Sequence, residues 1–363
     1  MDGDRPWSAR EVVLRVLVAH LALLGFMALA RVFLVPGRED ARAILNGLAA
    51  WDAQHYLTVA TNGYVEDHLI VRLPALPLLI RAVAVVTRSP LVAGYLVVLA
   101  CHAAAGVYLH RLLRLDESDD VARRAVIAWL AFPTAFTAVV PLTEAPFFLG
   151  VVGALFHWRV DQPGRASLFA LLAATTRIPG VFLLAALAAD AAVRRRDAGR
   201  WRAAAVTLAV PAAGLLAYLA LNAFVEGDPL SFLAVQREKF SRALASPVSG
   251  LREAWAAMDR ERPEGIVLGP FEVLGTVVSW AAFLRAARRR QVADAVYTGL
   301  SAAAFTFQEF WISNLRYAYV LHPVFPLLAR AGRGPVGWMA IVATSLALLA
   351  VLAFQFSRGH WAA

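Results

Sequence analysis

Long apolar blocks recur along this chain, separated by short arginine clusters. A hydrocarbon core about 30 Å thick takes about 20 helical residues to cross, and the blocks approach that length. In lipid every backbone N–H and C=O must be paired within the protein, so the blocks predict helices rather than open sheet. The alternating polar and apolar segments of an outer-membrane barrel are absent. Composition agrees: 60% of the 363 residues are hydrophobic and 17% charged, against roughly a quarter charged in a soluble domain.

The expected spans are 12–34, 90–113, 123–141, 144–159, 166–177, 178–193, 203–224, 268–285, 291–312, 317–330 and 335–357. Stretch 73–87 is apolar but short, with Pro74, Pro77 and Arg81; it is expected to lie at the interface or re-enter rather than cross. The apolar run 12–35 is longer than a signal-peptide core and reads as a retained first span. Arginine bias sets orientation. Arg5/Arg10/Arg15, Arg111/Arg114/Arg123/Arg124, Arg194-Arg195-Arg196/Arg200/Arg202 and Arg285/Arg288-Arg289-Arg290 are expected on the cytoplasmic side. Parity then puts loop 36–72, the Pro141–Glu144 turn, Arg177, loop 225–267 and Asn314–Arg316 outside.

The whole chain, 1–363, reads as one all-α polytopic membrane domain with no internal repeat and no soluble catalytic domain. Any chemistry must come from helix ends and loops. The formal charge of +9 fits cytoplasmic helix ends better than nucleic acid, for which no recognition motif is present. Lys239 is the one lysine among 35 basic residues, a bias typical of high-GC bacterial genomes. Cys101 is the sole cysteine, so neither an internal disulfide nor a multi-cysteine metal site can form.

Ionisable residues at membrane depth are costly and become functional candidates. Trp51-Asp52-Ala53-Gln54-His55-Tyr56 opens a short amphipathic segment ending at Gly63. Asp52 and His55 share one helical face. A partly desolvated carboxylate beside aromatic surface suits proton abstraction from a hydroxyl; the same spacing suits a capped interfacial helix. Glu144 opens an apolar helix after Pro141-Leu142-Thr143, where either residue could serve only as a cap. Arg177, in Thr175-Thr176-Arg177-Ile178-Pro179-Gly180, breaks the positive-inside trend; a guanidinium at a chain break suits phosphate, and equally a snorkelling arginine. Arg316, in Asn314-Leu315-Arg316-Tyr317, sits at another outer helix end, with His322 beyond it. Asp228, Glu309 and the Glu66-Asp67-His68 turn are weaker candidates.

In order along the chain, these segments resemble the PIG-V-like mannosyltransferases, the family of GPI mannosyltransferase II and its bacterial relatives. The resemblance rests on Trp51-Asp52-x-x-His55-Tyr56 through Gly63-Tyr64, Phe132-Pro133 with Thr143-Glu144, Thr176-Arg177-Ile178-Pro179-Gly180, Gly227-Asp228-Pro229 and Arg316-Tyr317. An isoleucine separates Arg177 from Pro179, and Arg72-Leu73-Pro74-Ala75-Leu76-Pro77 lacks the aromatic residues usual there. The resemblance implies a GT-C-type fold with about 10–12 transmembrane helices. It also implies a plasma-membrane enzyme with an outward-facing site, a polyprenyl-phosphate sugar donor, usually mannose, and a lipid, glycan or protein acceptor. Asp52 would be the general base and Glu144 a second catalytic carboxylate. Arg177 and Arg316 would hold the donor phosphate. Trp51, Gln54, His55, Tyr56 and His322 would contact substrate. No cofactor is required, although a divalent cation is compatible. The competing expectation is a transporter or flippase built on broken helices.

Overall fold

The structure, a computed structural model, describes residues 6–34, 40–193, 198–240, 242–258, 269–332 and 334–362. Arg5, Arg194-Arg195-Arg196 and Arg260-Glu261-Arg262 lie outside the described residues. Among the described residues the chain is helical, with no strand and one isolated antiparallel bridge between Leu244 and Gln308.

The helices are α1 Ala9–Leu34, α2 Ala41–Leu48, α3 Asp52–Asn62, α4 Ala75–Thr87, α5 Pro90–Leu113, α6 Asp119–Leu130, α7 Glu144–Arg159, α8 Pro163–Thr176 and α9 Gly180–Val193. They continue with α10 Ala198–Glu226, α11 Ser231–Phe240, α12 Pro247–Ala256, α13 Pro270–Arg288, α14 Val292–Thr306, α15 Asn314–Tyr319, α16 Val324–Ala331 and α17 Gly334–Ser357. Tight 3-10 turns cover Asp67–Val71 and Ala135–Ala138. Starts follow local chemistry. Pro90, Pro163 and Pro270 occupy first-turn positions, where a missing N–H costs nothing. Asp40, Ser89 and Ser118 accept from orphan backbone N–H groups of α2, α5 and α6, satisfying donors that have no partner inside the helix.

Among the described residues, four helices are long and apolar enough to cross a membrane: Ala9–Phe33, Pro90–Leu113, Trp201–Glu226 and Gly334–Ser357. Large apolar side chains such as Leu21, Phe33, Leu216, Phe224, Met339 and Val351 point outward from three of them, as a lipid-facing surface requires. The other expected spans are shorter. Span 123–141 is α6 followed by the irregular stretch 131–143, and span 317–330 divides into α15 and α16. The irregular stretch is buried throughout and bonds to itself: Phe132 O accepts from Ala135 N at 2.9 Å and Phe136 O from Val139 N at 3.1 Å. Non-helical backbone survives at such depth only when buried in protein.

The elements share two polar ends. α7 begins at Glu144 and finishes at Arg159, 16 residues or about 24 Å along its axis. Near its end, Arg159 pairs with Asp116 and Asp294. Glu117, in the link between α5 and α6, is held by Arg285, Arg289 and Arg330. This arginine end clamps α13, α14 and α16 onto the α5–α6 link. The opposite end carries a cavity. α4 does not run between the two ends. Leu73, just before it, lines the cavity. Gly94, one turn into α5, packs on Leu57 and on Pro141, two residues from cavity-lining Thr143. Both ends of α4 therefore sit at the cavity end.

Candidate functional site

A cavity of about 720 Å³ opens between α3, the Asp67–Val71 turn, the α8–α9 break, α11, α14 and α15. Asp52, the first residue of α3, enters it from one side. Its carboxylate faces two guanidiniums rather than its own helix: Arg72 Nη2 is 2.9 Å from Oδ1, and Arg316 Nη1 is 3.3 Å from Oδ2. Trp51, immediately before, takes φ +55°, an uncommon conformation for a bulky residue. That kink turns the chain from α2 into α3 and leaves the Trp51 ring edge-on against Trp361, 5.5 Å between centroids.

Arg316 links the two carboxylates. Besides Asp52 it donates from Nε to Glu144 Oε1 at 2.6 Å. Arg177 donates to the same Glu144 oxygen and, at 3.1 Å, to the Thr143 hydroxyl. Thr143 makes no cap hydrogen bond to α7. For both acidic segments, the capping alternative left open by spacing gives way to long-range ion pairing. The chain Arg72–Asp52–Arg316–Glu144–Arg177 joins segments up to 264 residues apart in sequence.

Local structure fixes each member. The turn Arg177–Gly180 is tight because Gly180 lies against the Ala173 carbonyl, 2.4 Å from where a Cβ would sit; a larger residue would open it. Arg177 also lies over the rings of Tyr317 and Phe147, 5.3 and 5.9 Å from their centroids. Arg316 is carried by the six-residue helix α15, too short to hold itself. Glu272 of α13 caps it, accepting from Ser313 N at 2.9 Å and Asn314 N at 2.5 Å. Asn314 Nδ2 donates to Thr276 Oγ1 at 2.9 Å, and Gly275 lets α13 touch the Leu315 backbone.

The two carboxylates differ in access. The Asp52 side chain is 24% exposed and that of Glu144 is 0%. Glu144 sits behind Thr143 and the arginines and does not line the cavity. Expected as a second catalytic carboxylate, it lies instead outside the cavity lining and pairs with Arg177 and Arg316. At Asp52, burial pushes the carboxyl up, but Arg72 and then Arg316 outweigh it and hold Asp52 below the usual carboxylate range. Burial, then Arg72, pushes His55 down from its usual value, so its ring is neutral at pH 7.

Among the other expected contacts, Trp51, His55 and Tyr56 line the cavity. Gln54 does not: its amide donates to Ala49 O at 2.6 Å and Asn46 O at 3.1 Å, which ties α3 to α2. His322 is also elsewhere. It lies 3.3 Å from Asp294, in the arginine-end cluster. Asp228 bonds the Leu230 N–H at 2.9 Å as a turn former, Glu66 faces His68, and Glu309 does not line the cavity. Among the described residues, no three His, Cys, Asp or Glu side chains gather where they could hold a metal ion.

Arg72, Lys239 and Arg242 line the cavity and were not expected there. Arg72 could have been found by the rule that singled out Arg177, an arginine in a segment expected outside, against the charge trend. Lys239 and Arg242 fall in a mixed-charge loop with no distinguishing local pattern. No protein-family model matches this chain, and no curated protein matches it.

Proposed function

We propose that this protein is a membrane glycosyltransferase that moves a sugar, in the first instance mannose, from a polyprenyl-phosphate donor to a hydroxyl acceptor on the outer face of the membrane. The observation that carries this reading is a single accessible carboxylate, Asp52, held between guanidiniums in a roomy cavity at one end of a helical membrane bundle. The ordered resemblance to PIG-V-like enzymes supports it, since three of its segments supply Asp52, Arg177 and Arg316.

In this reaction the acceptor oxygen attacks the anomeric carbon. The new C–O bond forms as the bond to the phosphate oxygen breaks, and the leaving lipid phosphate takes the electron pair. The configuration inverts. Asp52, ionised at neutral pH, accepts the acceptor proton, a role worth about 10²–10⁴-fold. The surrounding guanidiniums stabilise the charge that develops on the phosphate. Trp51, Tyr56 and neutral His55 border the space beside Asp52 and orient the sugar or the acceptor.

The test uses purified protein in detergent with radiolabelled polyprenyl-phosphate mannose and membrane-extracted acceptor lipid. Wild type should transfer label, and Asp52→Asn should lose about 10²–10⁴-fold in kcat with a retained melting temperature. Transfer by Asp52→Asn at the wild-type rate would sink the assignment. Movement of intact donor across proteoliposomes without transfer would favour the transporter reading instead.

A further inference from the structure

The cavity holds more positive charge than its carboxylates balance. Arg72, Arg177, Lys239, Arg242 and Arg316 line it, whereas Asp52 is the one carboxylate among the described lining residues, with Glu144 behind. Arg177 and Arg316 are committed to Glu144 and Asp52. Arg72, although paired with Asp52 at 2.9 Å, is joined through Phe240 to α11, which carries Lys239 and leads to Arg242, and these three make up one wall. Arg242 donates to the Gln308 side chain and, at 2.9 Å, to the Tyr317 hydroxyl, both neutral acceptors. Lys239 and Arg242 make no ion pair with a carboxylate of the described residues.

This wall is built rather than accidental. The bridge between Leu244 and Gln308, with Glu309 N bonded to Ala243 O at 3.0 Å and Ala245 N to Phe307 O at 3.2 Å, pins the segment after Arg242 beside the end of α14. Phe240 lies against the Arg72 guanidinium, 5.2 Å from ring centroid to Cζ, and joins α11 to the Asp67–Val71 turn. The Arg72 side chain is 10% exposed, and its Nε is buried with no hydrogen-bond partner in the protein. A buried charged donor without an acceptor is costly, and so is a surplus of cations in a membrane protein. An anion bound on this wall offsets the surplus of charge.

We propose that Arg72, Lys239 and Arg242 form a phosphate-binding subsite, and that Arg177 and Arg316, expected from sequence to hold phosphate, instead hold the two carboxylates in place. Guanidiniums match phosphate oxygens as planar forks and lysine adds a point charge. Beside this wall the cavity is apolar, lined by Phe182, Leu233, Phe305 and Phe310. The ligand is therefore the phosphate of a lipid, its chain lying on these side chains. That the lipid is a sugar donor rests on the transferase reading; the anion subsite does not.

The experiment measures binding of farnesyl phosphate, farnesol and inorganic phosphate to the full-length protein in neutral detergent, by calorimetry, with no sugar present. Wild type should bind farnesyl phosphate at least tenfold more tightly than farnesol or inorganic phosphate, and more weakly as salt rises. Lys239→Gln and Arg242→Gln should each weaken farnesyl phosphate about tenfold and leave farnesol unchanged. Arg72→Lys, which keeps the charge but removes the planar fork, should weaken it several-fold. Arg88→Gln, at the exposed end of α4, controls for loss of surface charge and should match wild type. Wild-type affinity in the Lys239→Gln/Arg242→Gln double variant overturns the subsite. Inorganic phosphate binding as tightly as farnesyl phosphate overturns the lipid source. Loss of farnesyl phosphate binding in the double variant, with no sugar transfer by wild type, fails the transferase reading alone. Unchanged transfer with an unchanged donor KM in the double variant fails the subsite alone.

Discussion

Glu144→Gln tests the charge chain most directly, because the variant keeps size and one acceptor oxygen but removes the charge. Glu144 is fully enclosed, and the Arg177 and Arg316 side chains against it are 11% and 6% exposed. After substitution Arg177 loses its carboxylate partner, and Arg316 keeps only Asp52, which it shares with Arg72. Removing one partner of a buried pair costs about 3–5 kcal/mol, since the other charge stays desolvated without compensation. At about 2 °C per kcal/mol, the scale for larger chains, the melting temperature should fall by about 6–10 °C. Asp52→Asn should fall by much less. Its side chain is 24% exposed at the cavity lip, and solvent screens its pairs. Adding Arg177→Met to Glu144→Gln should recover part of the loss, because an apolar replacement no longer needs a counter-charge. Tryptophan fluorescence during thermal unfolding in detergent reads all four proteins. If Glu144→Gln melts within 2 °C of wild type, or no lower than Asp52→Asn, the buried chain does not have the energetics derived for it.

Two further predictions concern activity. Burial alone would raise the Asp52 carboxyl, but Arg72 and Arg316 hold it below the ordinary carboxylate value, about 3.9 when unfolded. Its stabilising pairs are therefore complete above that value and are lost as pH falls through the lower folded one. Glu117, held by Arg330 and Arg285 against its own burial, shifts in the same direction. The pH profile of kcat/KM should show no Asp52-dependent fall between pH 7 and 5; an ionisation near neutrality that disappears in Asp52→Asn would refute the assignment. At Gly275, a Cβ would lie 2.3 Å from the Leu315 backbone nitrogen, so Gly275→Val must displace α15. A shift of about 1 Å at Arg316 should cost about 10²-fold in transfer with helix content by circular dichroism unchanged. Full activity in Gly275→Val would mean that α15 does not need its present seat.

Helical class, membrane character and several candidate residues were legible along the chain because each leaves a local mark. Apolar length marks a span, a Pro or Gly break marks Glu144 and Arg177, and a charge beside aromatic residues at a helix end marks Asp52 and Arg316. Stretch 73–87 was legible too: its length and prolines matched a segment with both ends on one side of the bundle. Other boundaries were not legible. Stretch 131–143 is as apolar as a helix but is held by short turns, and its break depends on what surrounds it.

Sequence by itself determined which residues carry charge at the ends of apolar blocks, because burying a charge in lipid is costly wherever the chain then goes. Tertiary structure alone decided which of those charges meet. It sent His322 to the arginine end, put Glu144 behind the arginines rather than in the cavity, and brought Arg72, Lys239 and Arg242 to the cavity that Asp52 enters. Ion pairing depends on distance through space, and a distance of 264 residues along the chain sets no limit on the distance between two side chains after folding.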